Sequence, residues 1–460
     1  GIVHNAEGRG MNDCFVSLPF CLNQILNCSA LSLYLQSNIK NTILVHRGQV
    51  KISPRVKNLA ENTLKKNDQF FFILSIVLLG LVDALPNVMA PVIADFAKLY
   101  PNVRPELLSQ ILSVPTLFFI FASLIAGTLV RKFGYYKVII TSLILVLLGG
   151  LAPMAVLNFY AVLILRAFFG AGIGILMTIS KTVVVILFEG DLRARLMGYD
   201  NTLGVMLISA LQIAAGYIAL RNVAVSYIVH IFAAIPLILI VIFRKQIKSI
   251  DQKAAFVNKN MHNSKQTGKI PFYALLLIAI MVVRSIPTVT VIYNMSSLVY
   301  ELGIGDAATA GWLSTGMSIG SVAAGVAFIY IYRKVGGFTA VLGLFIETLG
   351  HLVFGFAQTI SWIYISQLLI AVGMITFVAA ITMDINEVTP RSMIETAMGL
   401  VVSLPYISNF VQPYYQLLLS NVIRNYSLHK LFIVGIIIEM LSLATLFIYS
   451  LFKKKSEKQA

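Results

Sequence analysis

Acidic residues are scarce in this chain: 19 Asp and Glu stand against 35 Lys and Arg in 460 residues. Charged residues of all kinds make up 12%, about half the share of a soluble domain. A water-solvated surface of ordinary composition is thereby excluded. Cysteine is scarcer still. Cys14, Cys21 and Cys28 are the only three, so nothing beyond residue 28 can be held by a disulfide framework or a Cys-rich metal site. Their spacing of seven could align them on one helical stripe, but no His pair accompanies them, and no metal is expected. The chain also lacks a Gly-x-x-x-x-Gly-Lys-Ser/Thr phosphate loop and a His-rich cluster, and its Gly-x-Ser-x-Gly run, Gly316-Met317-Ser318-Ile319-Gly320, falls inside a long apolar stretch where a strand-to-helix elbow has no place. Those absences argue against ATP-driven pumping, against an enzyme and against a resident cofactor.

What is present is apolar length. The sequence is 58% hydrophobic, with a mean hydropathy of +0.85. About 20 apolar residues cross the ~30 Å of bilayer hydrocarbon. That rule places helices at 70–96, 106–130, 138–157, 160–187, 197–219, 223–243, 271–298, 307–331, 338–357, 359–383, 394–419 and 430–452. The predicted fold is an all-α membrane protein of twelve transmembrane helices. A Lys-rich linker at 244–270 divides it into six-helix bundles at 70–243 and 271–452, with a basic tail at 453–460. Residues 1–69 are expected to be an extension outside this unit, either cytoplasmic or a non-native leader.

The excess of positive charge lies in short loops between apolar runs, not on one face of a soluble domain. It therefore reads as a membrane-surface signal and not as nucleic-acid binding. With an inside N-terminus, the inside segments hold 19 Lys and Arg and the outside loops 5. Both termini are expected to be cytoplasmic, in a plasma-membrane protein whose partners are the lipid bilayer, a small-molecule substrate and protons.

The two halves repeat. Val82-Asp83-Ala84-Leu85-Pro86-Asn87-Val88 matches Val283-Arg284-Ser285-Ile286-Pro287-Thr288-Val289, at an offset of 201. Arg131-Lys132-Phe133-Gly134 matches Arg333-Lys334-Val335-Gly336, at 202. Leu196-Met197-Gly198 matches Ala397-Met398-Gly399, at 201. Three matches near one offset, in equivalent places, indicate duplication and a pseudo-two-fold axis along the membrane normal.

Gly127-Thr128-Leu129-Val130-Arg131-Lys132-Phe133-Gly134 resembles the loop signature of the major facilitator superfamily, although that family usually has Asp where this chain has Arg131. Leu165-Arg166 followed by Gly170, Gly172 and Gly174 is similar to its helix 4 signature. Asn87-Val88-Met89-Ala90-Pro91 resembles a helix 1 pattern common in drug exporters. The exporters' helix 5 signature is reduced here to Leu211-Gln212 and Ala215-Gly216. The resemblance covers about 70–452 and implies a bacterial-type transporter of unresolved subfamily, working as a monomer.

An ionisable side chain at mid-membrane costs several kcal/mol and must face a cavity or a partner. Asp83 lies ~20 Å into its helix at ~1.5 Å per residue, and Arg284 is its repeat equivalent. In the resembling family, helices 1 and 7 line the cavity, so Asp83 and Arg284 are expected to oppose each other across it. Asp83 would carry the coupling proton, with Arg166 tuning it. Arg284, Asn87, Thr288 and Asn294 are the candidate substrate contacts. Pro86 and Pro287 are expected to break their helices beside those charges, while Gly170, Gly172 and Gly174 pack helices closely.

At the inner end, Arg131, Lys132, Gly134, Glu189 and Arg193 in one half match Arg333, Lys334, Gly336, Glu387 and Arg391 in the other as a charged gate. Glu347 and Glu439 are expected to pair structurally or to face an interface, His230 and His351 to pack, and Lys181 to snorkel. Two directions of transport stay open. The helix 1 pattern and aromatic content favour proton-driven export, whereas Arg284 and the reduced helix 5 signature favour uptake of an organic anion.

Overall fold

The computed structural model describes residues 66–459 except 189, 249, 252–269 and 391–392. The expected extension up to residue 65, with its three cysteines, lies outside the described residues, as does most of the linker. Among the described residues the chain is helical without a strand. In lipid, helices satisfy every backbone group internally, which is what long apolar runs require.

The first half comprises α1 (Lys66–Leu81), α2 (Gln110–Phe133), α3 (Tyr135–Leu151), α4 (Phe159–Leu187), α5 (Gly190–Arg221) and α6 (Ala234–Ile242), the last entered through a 3-10 segment at Ala224–Ala233. The second comprises α7 (Phe272–Glu301), α8 (Ala307–Val335), α9 (Thr339–Phe356), α10 (Ile360–Val388), α11 (Ile394–Ser403 and Pro405–Val422) and α12 (Leu428–Gln459). Among the described residues ten stretches are long and apolar enough to cross a membrane. One of them, Ala307–Phe356, contains both α8 and α9; α11, divided at Leu404–Pro405, is not among the ten.

The repeat is visible in the backbone. α2 ends at Gly134 with φ +81° and α8 at Gly336 with φ +62°, 202 residues apart. A side chain there would meet the left-handed steric penalty, so glycine is the natural stop. At Gly134 the Asp251 carboxylate also accepts the Tyr135 N–H at 2.7 Å, capping α3.

The two prolines behave differently. Pro86 clashes with the carbonyl four residues earlier, that of Val82, and there α1 passes into a 3-10 turn at Val82–Asn87. Pro287, by contrast, sits inside α7, which runs unbroken from Phe272 to Glu301. It packs against Gly435 of α12. The expected break at Pro287 is therefore corrected: α7 continues through it, as neighbouring helices allow for a proline within a membrane bundle.

Gly170, Gly172 and Gly174 of α4 lie where a Cβ would strike Pro115, Ser142 and Phe119 respectively. They let α4 nest between α2 and α3. One apolar cluster is built almost entirely from residues 76–250, and two others come from 274–446 and 291–432.

Candidate functional site

Polar contacts join the two halves toward the end that carries the loops poor in Lys and Arg. The Ala94 N–H donates to Ser296 Oγ at 3.1 Å. Asp95, 2% exposed, accepts at Oδ1 from Tyr300 Oη at 2.8 Å and from Lys98 Nζ at 2.6 Å. Arg104 donates to Ser420 and Asn421, and Gln110 to Tyr414. Trp312 Nε1 donates to Tyr217 Oη, and Ser209 bonds Ser318 across α5 and α8. Gly216 and Gly311 let those two helices touch backbone to backbone. Ser109 at the start of α2 donates to the Gln412 side-chain oxygen, Gln412 to Gln416 and Gln416 to Asn294, a chain of hydrogen bonds that joins α2, α11 and α7. Asn294, a candidate substrate contact, thus sits in this seam.

Asp83 lies deeper, in the 3-10 turn after α1. Its side chain is 29% exposed, and Lys181 Nζ of α4, 43% exposed, stands 4.0 Å from it. Tyr406 of α11 sets its ring 4.5 Å from that of Phe119 of α2, tilted by 41°. Gly204 of α5 leaves room beside the Asp83 carboxylate. Asn87 follows one turn later, with its carbonyl accepting from Gln212 Nε2 at 3.1 Å. Asp83 is the acid of this turn, and solvent reaches it.

Arg284 is not brought to Asp83. It is 4% exposed, and its Nη1 donates to Glu347 Oε1 of α9 at 2.6 Å, an oxygen that Thr288 also reaches at 2.7 Å. The guanidinium lies 5.0 Å over the Phe377 ring of α10. This corrects the expected Asp83–Arg284 opposition, and it turns Thr288 toward α9 as well. The physical reason is local: a buried cation takes the nearest carboxylate, and Glu347 is within its own half. One helical turn along α9, His351 Nδ1 donates to Glu439 Oε2 of α12 at 2.7 Å. Glu347, His351 and Glu439 have side-chain exposures of 0%, 3% and 0%.

Arg166 is 1% exposed and does not snorkel. Its Nη1 donates to His230 Nε2 at 3.2 Å, while His230 Nδ1 donates to the Tyr227 carbonyl at 2.9 Å. A carbonyl only accepts, so the imidazole is the neutral Nδ1–H tautomer. The guanidinium lies 4.9 Å over Phe169 and 4.7 Å over Tyr227. Its field extends to Tyr100, where burial raises the phenol's pKa above the ordinary value and the Arg166 charge opposes the rise.

Of the expected gate, Glu189, Arg391 and the Arg193 side chain lie outside the described residues. Arg131, Lys132, Arg333 and Lys334 are exposed, and Arg131 donates to Thr128 of its own helix. None of these four reaches an acid among the described residues.

Sequence reasoning missed the partnership of Lys181, the pairing of Glu347 with Arg284, the role of Asp95 and the bond between His351 and Glu439. An ionisable residue within a span is itself the signal that marks Lys181, Glu347 and Glu439. Asp95 and Tyr300 carried no such signal, because they lie near the ends of apolar runs.

The family model described as the Major Facilitator Superfamily matches residues 72–413. Among solved structures, an inward-open form of the xylose transporter XylE from E. coli is similar with a TM-score of 0.61 at 13% identity, over 82% of this chain and 95% of that one. A peptide transporter of the POT type gives a TM-score of 0.65 at 13% identity, over 84% and 94%. A POT family transporter in complex with 5-aminolevulinic acid gives 0.63 at 11%, over 83% and 96%. No curated protein sequence matches the chain. At these identities the structural likeness is one of fold.

Proposed function

The chain belongs to the major facilitator superfamily, and from that premise we propose that it exports small cationic or neutral organic compounds in exchange for protons, by alternating access across twelve helices in two six-helix bundles. The observation that carries this reading is the pair of fates of the two mid-membrane charges. Arg284 is withdrawn onto Glu347, which removes the cation that would favour an anionic substrate. Asp83 stays 29% exposed, with Lys181 Nζ 4.0 Å from its carboxylate. A carboxylate so placed can bind a proton or a cationic group in turn, but not both at once. Lys181 is the internal counter-ion that takes over when neither is bound.

The seam bonds through Asp95, Tyr300, Ser296 and Gln412 support a state closed at the outer end and open to the cytoplasm. In that state the gate charges Arg131, Lys132, Arg333 and Lys334 stand apart, and they would meet their acids when the halves rock the other way. The 19-to-5 loop bias supports cytoplasmic termini.

The test is the full chain reconstituted in liposomes with an internal pH dye, offered pooled organic cations and, separately, organic anions. Cations should drive proton movement in the wild type and not in Asp83→Asn. Proton movement in the variant equal to wild type removes Asp83 from the mechanism. Movement driven by the anion pool alone reverses the substrate class.

A further inference from the structure

Helices α7, α9 and α12 enclose four ionisable side chains away from the candidate pathway. From α7 come Arg284 and Thr288, from α9 Glu347 and His351, and from α12 Glu439. The neighbouring α10 contributes the Phe377 ring over Arg284 and the Gly373 backbone against Glu347. The charged groups acting on His351 are Glu439, Glu347 and Arg284. One ligating atom from each of Glu347, His351 and Glu439 lies within 4.8 Å of the others, with all three residues buried. Glu347 Oε2, Glu439 Oε1 and His351 Nε2 are buried without a hydrogen-bond partner.

The charges do not balance as bonded. Arg284 cancels Glu347, and a neutral imidazole donating through Nδ1 leaves Glu439 as an uncompensated buried anion. Such a charge costs several kcal/mol in a membrane interior. One added proton brings the sum to zero and gives an orphaned acceptor a donor. A divalent cation would instead overshoot to +1, with Arg284 2.6 Å from one of the three ligands and fewer protein ligands than such ions take.

We propose that Glu347, His351 and Glu439 form a proton-binding site, holding one proton on the His351–Glu439 pair, distinct from Asp83 and independent of it. Proton occupancy fixes α12 to α9, and through Arg284 and Thr288 it fixes α7. The sign follows from linkage. A proton bound in the fold and released on unfolding stabilises at low pH, and that stabilisation fades as pH rises through the site's titration.

The experiment follows thermal unfolding and proton uptake of the full chain in detergent across a pH series, for wild type, Glu439→Gln, His351→Gln and Asp83→Asn. Glu439→Gln should take up about one proton fewer than wild type and lose the fall in melting temperature with rising pH. His351→Gln, which keeps the fold measurable if Glu439→Gln does not express, should shift that titration by about tenfold or more in proton concentration. Asp83→Asn should retain the Glu439-dependent proton even where it abolishes transport, so the two readings fail separately. Superimposed pH profiles for wild type and Glu439→Gln overturn the proposal. So does a zinc-induced rise in melting temperature that Glu439→Gln removes, which would make the site one for metal.

Discussion

The two halves each bury an arginine, and they neutralise it by different means. In the C-terminal half, Arg284 has a carboxylate at 2.6 Å and a second acid–histidine pair beside it. In the N-terminal half, Arg166 has a neutral histidine and two aromatic faces, and no carboxylate bonds it among the described residues. The halves share matching segments, yet the mid-span acid of the first, Asp83, stays 29% exposed, while those of the second, Glu347 and Glu439, are locked inside. The difference teaches that a duplicated fold can divide its labour by moving a counter-ion. One half keeps a carboxylate within reach of solvent; the other uses its carboxylates to hold a bundle together.

That comparison breaks most visibly at Glu347. Replacing it by Ala strands Arg284 as an uncompensated buried cation, with an expected loss of about 3–5 kcal/mol. Thermal unfolding in detergent should show it as a large fall in melting temperature, or as failure to express. Restoration by a second change, Arg284→Met, would confirm that the charge and not the packing is at fault. Arg166→Met should be milder, at about 1–2 kcal/mol, because two ring contacts are lost but no acid is left alone. An equal loss at both positions would mean that Arg166 has a counter-ion after all, and the contrast between the halves would fall.

Much of this was legible in the sequence, for physical reasons that also mark the limit. Helix positions follow from apolar length, so Phe159–Leu187 and Phe272–Glu301 lie close to the expected 160–187 and 271–298. The duplication was legible because glycine is needed at the φ-positive stops, Gly134 and Gly336. What could not be read was rotation about each helix axis. A span apolar on all sides gives no periodic cue to the direction of one polar residue. Asp83 and Arg284 occupy equivalent depths, but depth says nothing about azimuth, and Arg284 turned to α9. Lys181 was misread for the same reason: near enough to the end to snorkel, it is also near enough to Asp83 to pair. The seam residues Asp95 and Tyr300 belong to no internal match, since an interface between repeats need not itself repeat.

The smallest effect should lie at that seam. Tyr300→Phe removes one hydrogen bond to Asp95, worth about 1 kcal/mol, and leaves Lys98 on the same oxygen. Within either half such a loss would barely register beside the buried ion pairs. Across the halves it acts on the balance between two arrangements of intact bundles, where ~1 kcal/mol is about fivefold in population. Spin labels on the two sides of the seam, near Arg104 and Asn421, should therefore report a larger share of long distances in Tyr300→Phe, with melting temperature nearly unchanged. A melting temperature that falls as far as in Arg166→Met, without a change in the distances, would place Tyr300 in the bundle core instead. Strong bonds inside each half and weak ones between them are what rocking requires: the bundles must survive every cycle, and the seam must open in every one.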